Sequence, residues 1–204
     1  MYLTRTPRIL HALYPGAVWN MPGPEKDLFL TFDDGPIPEV TPWVLDTLTT
    51  YQAKATFFCI GRNCEAHPSI LARIRADGHA VGNHTWDHPR GWRTADRCYF
   101  RNVLQFQAIT RSDLFRPPYG SLKWSQFLVL KKRFKVVLWD VLSRDYDVHV
   151  TGETCLSNVI EGVRPGSIVV FHDSLKAEER LRHALPATLA HFSALGYRFK
   201  ALSA

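Results

Sequence analysis

The stretch Leu28-Phe29-Leu30-Thr31-Phe32-Asp33-Asp34-Gly35-Pro36 sets two carboxylates side by side at the end of an apolar run and stops the chain with Gly-Pro. Like charges held together and half sheltered raise each other's energy, so the pair calls for a compensating group. A second stretch, His84-Thr85-Trp86-Asp87-His88, carries imidazoles four positions apart. On a helical turn that spacing puts both rings on one side, within reach of one metal ion. The His-Glu-x-x-His protease arrangement is excluded, because Thr85 follows His84 and no Glu lies between the pair. One carboxylate, from Asp34 or Asp33, completes a His/His/carboxylate set that leaves a tetrahedral ion one position for water. The other, beside the cation, is then placed to take a proton from that water.

These residues need elements to bring them together. Short apolar runs at Leu28–Phe32, Ala55–Ile60, Ala80–Asn83, Leu114–Arg116, Val136–Trp139, Ile168–Phe171 and Tyr197–Leu202 read as strands covered on both faces. Helix-like stretches lie between them: Val40–Tyr51, Ser69–Asp77, Ala95–Ser112, Ser121–Arg133, Glu153–Val163 and Lys176–Leu195. Strand and helix alternate about seven times, which predicts an α/β fold with a parallel sheet, closed or nearly closed. Asp33-Asp34 follows the first strand, His84 to His88 the third, Arg116-Pro117-Pro118-Tyr119-Gly120 the fourth, Ser143 to Asp147 the fifth, and Phe171-His172-Asp173-Ser174 the sixth. The C-terminal ends of parallel strands converge on one face, so these residues are expected to meet in one active site.

With those motifs in view, the chain resembles the polysaccharide deacetylase superfamily, carbohydrate esterases that remove N- or O-acetyl groups from glycans. The resemblance runs from about Leu28 to Leu202 and rests on TFDDGP, HTWDH, RPPYG and VVFHD in the family's order. It implies a distorted, incomplete (β/α) barrel of about seven parallel strands. It also implies Asp33 as general base, Asp34, His84 and His88 as ligands of one divalent metal, and Arg116 holding Asp33 in place. Tyr119 would stabilise the oxyanion through its backbone N–H, His172 would be the general acid, and Val170 would lie near the acetyl methyl. In the family's fourth motif an Asp tunes the acid histidine and a Trp walls the pocket. Here the segment reads Arg144-Asp145-Tyr146-Asp147, so Asp145 transfers while Tyr146 replaces the Trp, and Leu142 stands where relatives often carry an acid. Trp86, between the two ligand histidines, is a candidate platform for a sugar ring. The metal expected is zinc, with cobalt or nickel as alternatives for such a donor set.

The remaining sequence bounds the function. At 204 residues one domain, 1–204, is expected, with the motifs in a core of about 27–202. Lys and Arg outnumber Asp and Glu by 25 to 19, yet the densest basic group is the short Lys131-Lys132-Arg133-Phe134-Lys135, read as a solvated helix end, so no nucleic-acid partner is expected. No run is apolar enough to span a membrane, and the opening residues lack the features of a signal peptide, so a cytoplasmic location is expected. Cys59, Cys64, Cys98 and Cys155 form no C-x-x-C cluster and read as reduced thiols. The expected partner is an acetylated sugar or glycan. The alternative reading is a metal-dependent amidohydrolase of a small N-acyl metabolite, with a silent carbohydrate-binding relative or a nucleic-acid binder as remoter readings.

Overall fold

A computed structural model describes residues 5–203. Its strands are β1 (Asp27–Asp33), β2 (Ala55–Cys59), β3 (Ala80–Asn83), β4 (Leu114–Phe115), β5 (Lys135–Val136), β6 (Val141–Leu142), β7 (Ile168–His172) and β8 (Arg198–Phe199). Its helices are α1 (Arg8–His11), α2 (Thr41–Thr50), α3 (Gly61–Ala66), α4 (Pro68–Ala76), α5 (Asp96–Ile109), α6 (Trp124–Leu130), α7 (Gly152–Gly162) and α8 (Glu178–Ala194). The strands form a parallel path β5-β4-β3-β2-β1-β7-β6, and β8 pairs with the lower end of β1. This is the distorted, incomplete barrel that the family resemblance implied, and its parallel sheet is the one that the strand–helix alternation predicts.

Strand parity sorts the side chains. Along β1, Leu28, Leu30 and Phe32 pack toward the helices with Phe57, Val169 and Phe171. Phe29 joins Phe58, Ile168 and Leu202 in the barrel interior, so Thr31 and Asp33, at the same period of two, follow it inward. In the parallel register Phe29 lies beside Ile168, Thr31 beside Val170 and Asp33 beside His172. An apolar plug therefore fills the lower interior, and the same rows of residues end in ionisable groups at the top.

One segment runs between the two edges of the sheet. Of the run expected as a single strand, Val136–Trp139, only Val136 falls in β5, at one edge, and β6 follows at Val141–Leu142 on the other edge. The Val137 N–H donates to Phe115 of β4 (2.8 Å), whereas the Asp140 and Ser143 N–H groups donate to Ile168 and Val170 of β7 (3.3 and 3.2 Å). The break between them is filled by Asp140, whose buried carboxylate accepts from the Ile168 N–H (2.8 Å) and the Ser167 hydroxyl (2.9 Å). Burial raises the Asp140 pKa. Chain 135–142 thus crosses from one edge of the curved sheet to the other without forming one regular strand.

Smaller departures follow from local chemistry. α3, which no periodicity announced, begins at Gly61, where a Cβ would stand 2.6 Å from the Trp86 indole. Lys131, Lys132 and Arg133 lie exposed just past α6, as expected of a solvated helix end. Cys59, Cys64 and Cys155 are buried and Cys98 is exposed, all as free thiols. No helix among the described residues is long and apolar enough to cross a membrane.

Candidate active site

The C-terminal ends of the strands surround a cleft of about 680 Å³. Asp33 enters it as the last residue of β1, and its charge is met by Arg116, whose Nη1 donates to Asp33 Oδ1 and Thr31 Oγ1 (2.7 Å each). Arg116 is 0% exposed. Its remaining N–H groups donate to the carbonyls of Leu138 (3.0 Å) and Val137 (3.4 Å), and its guanidinium lies 4.1 Å over the Phe58 ring. A buried Arg is tolerable only with its donors used in this way.

Asp34 follows with φ 84, a left-handed backbone that swings its side chain away from Asp33 and toward the histidines. The Asn63 amide donates to its carbonyl (2.8 Å). Behind this turn the buried Asp173 accepts from the Gly35 N–H (3.1 Å) and the Thr41 hydroxyl (2.6 Å). Burial, helped by the charge of Asp34, raises Asp173 to about 8. Gly35 is required here, since a Cβ would stand 2.0 Å from Asp173 Oδ2.

His84 and His88 do not share a helical turn. Residues 84–88 form a loop in which Thr85 (φ 68) and His88 (φ 66) are left-handed. Side chains hold it: Asn83 Oδ1 accepts the Thr85 N–H (2.8 Å), Asn102 Oδ1 accepts the Trp86 N–H (2.6 Å), and Thr85 Oγ1 accepts the His88 N–H (3.1 Å). The spacing of four still brings the rings together, with centroids 4.9 Å apart, but by a loop stitched to its neighbours.

The donor set of Asp34, His84 and His88 fits a divalent cation. One donor atom from each lies within 4.8 Å of the others. Asp34 Oδ1 is 3.2 Å from His88 Nε2 and 3.8 Å from His84 Nε2. Ligands about 2.1 Å from a tetrahedral zinc stand roughly 3.4 Å apart, between these values. Asp34 Oδ1 is buried and satisfied by no hydrogen bond of good geometry, an orphan that a cation would satisfy. His84 Nδ1–H donates to the Arg116 carbonyl (2.8 Å), which leaves Nε2 a bare lone pair facing Asp34. Burial pushes His84 down to about 4, so it is the neutral ligand form at pH 7. Burial opposes ionisation of Asp34, yet His88 and the charge of His172 carry its carboxyl well below the ordinary range.

His172 lies on the strand adjacent to β1, in register with Asp33. Its Nδ1–H donates to Asp145 Oδ1 (2.8 Å) and its backbone N–H to Asp145 Oδ2 (2.7 Å). The other nitrogen, Nε2, is left for the cleft. Burial alone would lower its pKa, but the charge and hydrogen bond of Asp145, joined by Asp34 and Asp33, raise it to about 9. Asp145 is itself fastened by the buried Arg180, whose Nε donates to its carbonyl (2.6 Å).

The remaining walls divide by character. Tyr119, Trp139, Leu142, Tyr146 and Val170 form an apolar and aromatic side, and Arg62, Arg90 and Lys176 stand on the rim. Tyr146 meets the His172 ring edge-on at 5.0 Å. Tyr119 has φ 59, packs on His88 (4.5 Å), and among the described residues no acceptor takes its backbone N–H.

The description "Polysaccharide deacetylase" matches residues 20–133. The chain belongs to the polysaccharide deacetylase family. It is 33% identical to a peptidoglycan-N-acetylglucosamine deacetylase of Bacillus cereus over 91% of this chain and 90% of that one. It is 37% identical to a chitooligosaccharide deacetylase of Azorhizobium caulinodans over 76% and 77% of the two chains. The crystal structure of the Bc1960 peptidoglycan N-acetylglucosamine deacetylase, in complex with an N-hydroxybenzamide, superposes with a TM-score of 0.89 at 31% identity, covering 97% of this chain and 95% of that one.

The chain brings Asp33, Asp34, His84, His88, Arg116, Tyr119, Tyr146, Val170 and His172 to one cleft, with Asp145 directly behind His172. Trp86 is the exception. Its indole packs over Gly61 behind the histidine loop, outside the cleft wall, and Trp139 occupies the wall instead. Thr31, Asn63 and Asp173 carry positioning hydrogen bonds that the motifs did not assign. Thr31 shares Asp33's face at a spacing of two, and Asp173 adjoins His172, so both had a signal in the sequence; Asn63 and Trp139 had none.

Proposed function

We propose that this chain is a metal-dependent hydrolase that removes acetyl groups from an N-acetylated sugar or glycan. The observation that carries this reading is the orphaned Asp34 Oδ1 converging with His84 and His88 in the cleft that also holds Asp33 and His172. Asp34, His84 and His88 would hold zinc, cobalt or nickel. Bound there, such an ion supplies Lewis acidity and eases deprotonation of water. Asp33, fixed by Arg116, accepts the proton of the attacking water as oxygen bonds to the acetyl carbon. The free Tyr119 N–H is oriented to donate to the developing oxyanion. His172, kept protonated by Asp145, donates from Nε2 to the departing nitrogen, the C–N bond breaks, and acetate and a free amine result. Val170 and Leu142 exclude water around the acetyl methyl.

Acetate release tests this directly, measured on chitooligosaccharides, peptidoglycan fragments, acetylated xylan and small N-acyl metabolites. Release from an amino-sugar glycan, abolished by a chelator and restored by a divalent metal, is expected. Activity confined to small metabolites, or chelator-resistant activity in metal-free protein, overturns the reading.

A further inference from the structure

Two large aromatic side chains outside the cleft lie open to solvent, Trp92 at 68% and Trp124 at 50% exposure. Both are held rigidly. The Trp92 indole N–H donates to the Leu122 carbonyl, which uses the side chain's only polar atom while most of its surface stays open to solvent. The 3₁₀ turn that carries it, Gly91–Arg93, is pressed against residues 121–126, for a Cβ on Gly91 would stand 2.3 Å from the Ser121 carbonyl oxygen. Gln126 Nε2 donates to the carbonyls of Gly91 (3.1 Å) and Thr94 (3.2 Å), and Lys123 Nζ donates to Thr94 (2.8 Å). Trp124 leans on the buried Phe127 ring with centroids 5.5 Å apart. The two indoles therefore ride on one clamped unit made from the loop after β3 and the start of α6.

That unit is continuous with the cleft. The Tyr119 ring packs on His88 (4.5 Å), and the Arg90 guanidinium lies 4.1 Å over Tyr119. Tyr119 and Arg90 line the cleft, Trp92 lies two residues beyond Arg90, and Trp124 opens α6 just beyond the loop that carries Tyr119.

We propose that Trp92 and Trp124 form an outlying glycan-binding track, on which sugars of the same chain stack while another sugar occupies the cleft. The inference rests on the deacetylase reading above. Pyranose rings present C–H faces that suit exposed indoles, and rigid rings bind with little loss of conformational entropy. A docking patch for a protein is expected to be contiguous and apolar. Here polar groups at the surface stand beside the rings: Ser125 Oγ donates to Asp96 (2.6 Å), which also pairs with Lys123 (3.5 Å). Hydroxyl-rich sugars match that surface.

The test is kcat/KM of the metal-loaded enzyme on N-acetylglucosamine oligomers from disaccharide to hexasaccharide, together with hexasaccharide binding read by calorimetry. For the wild type kcat/KM is expected to rise with length. Trp92→Ala and Trp124→Ala should each lose roughly three- to tenfold on the hexasaccharide, the worth of one aromatic contact, and nothing on the disaccharide. Trp92→Tyr should recover part of the loss, and all variants should keep wild-type metal content. Equal losses at both lengths, or none at the hexasaccharide, overturn the track. Hexasaccharide binding that depends on Trp92 without any turnover removes the proposed reaction and keeps the track, whereas turnover independent of length does the reverse. A dimer that dissociates in the double variant, with length dependence intact, assigns the patch to a second copy and also overturns it.

Discussion

The two ends of the barrel are built by the same strands under opposite rules. At the lower end Phe29, Phe58, Ile168 and Leu202 fill the interior with apolar side chains, and β8 adds ordinary pairing to β1. At the upper end the interior holds a buried Arg116–Asp33 ion pair and the Asp145–His172 pair. Backbone strain is distributed the same way. Among the described residues, the non-glycine residues with positive φ are Asp34, Thr85, His88, Tyr119 and Arg144 at the upper end, with Gln52 alone elsewhere. Each such conformation costs on the order of 1–3 kcal/mol and persists only where its surroundings enforce it. The lower end thus supplies stability that the upper end draws on to hold groups in geometries chosen for chemistry.

If this division is right, changes at the upper end should abolish turnover while leaving the fold intact. The largest effect is expected from His172→Ala and Asp33→Asn, each slowing acetate release by roughly 10²–10⁴ with metal content preserved. Asp34→Asn, His84→Ala and His88→Ala should instead lose the metal, which elemental analysis of the purified variants reads. Identical metal content in Asp33→Asn and Asp34→Asn would erase the distinction between the two carboxylates.

Arg116 sits where the two regimes meet, so it tests whether they separate at all. Arg116→Ala leaves Asp33 buried and unpaired, and should lower unfolding free energy by about 3–5 kcal/mol as well as slow turnover. Thermal denaturation beside kinetics decides this, and a variant that loses activity at full stability would move Arg116 wholly to the functional side. Ile168→Ala, in the plug, should cost about 2–5 kcal/mol of stability and leave kcat unchanged well below its lowered melting temperature. A large fall in kcat there would break the comparison.

The smallest expected effect is a displaced pH profile. His172 donates its proton, so kcat/KM should fall as pH rises through its pKa of about 9. A cation bound at Asp34 cancels part of the charge that raises it, and Asp145 then carries most of the shift. Asp145→Asn should therefore move the alkaline limb to lower pH. A limb that stays in place would detach His172 from that limb.

Much of this was legible in the chain before folding. Parity in Phe29-Leu30-Thr31-Phe32-Asp33 and in Ile168-Val169-Val170-Phe171-His172 points both ionisable residues inward, because a strand's period of two is a local property. The alternation of apolar runs and helices implied a parallel barrel, and the motifs at strand ends placed Asp34, His84, His88, Arg116 and Asp145 around one cleft. What only the tertiary structure decided depends on contacts between distant segments. Segment 135–142 divides between both sheet edges because Phe115 and Ile168 compete for its backbone. Residues 84–88 follow a left-handed loop because Asn83 and Asn102 take its N–H groups. Trp86 stays out of the cleft because Gly61 leaves room for its indole behind the histidines, while Trp139 lies against Gly120 in the cleft wall, and no pattern within the tryptophans' own neighbourhoods encodes which of them meets which glycine.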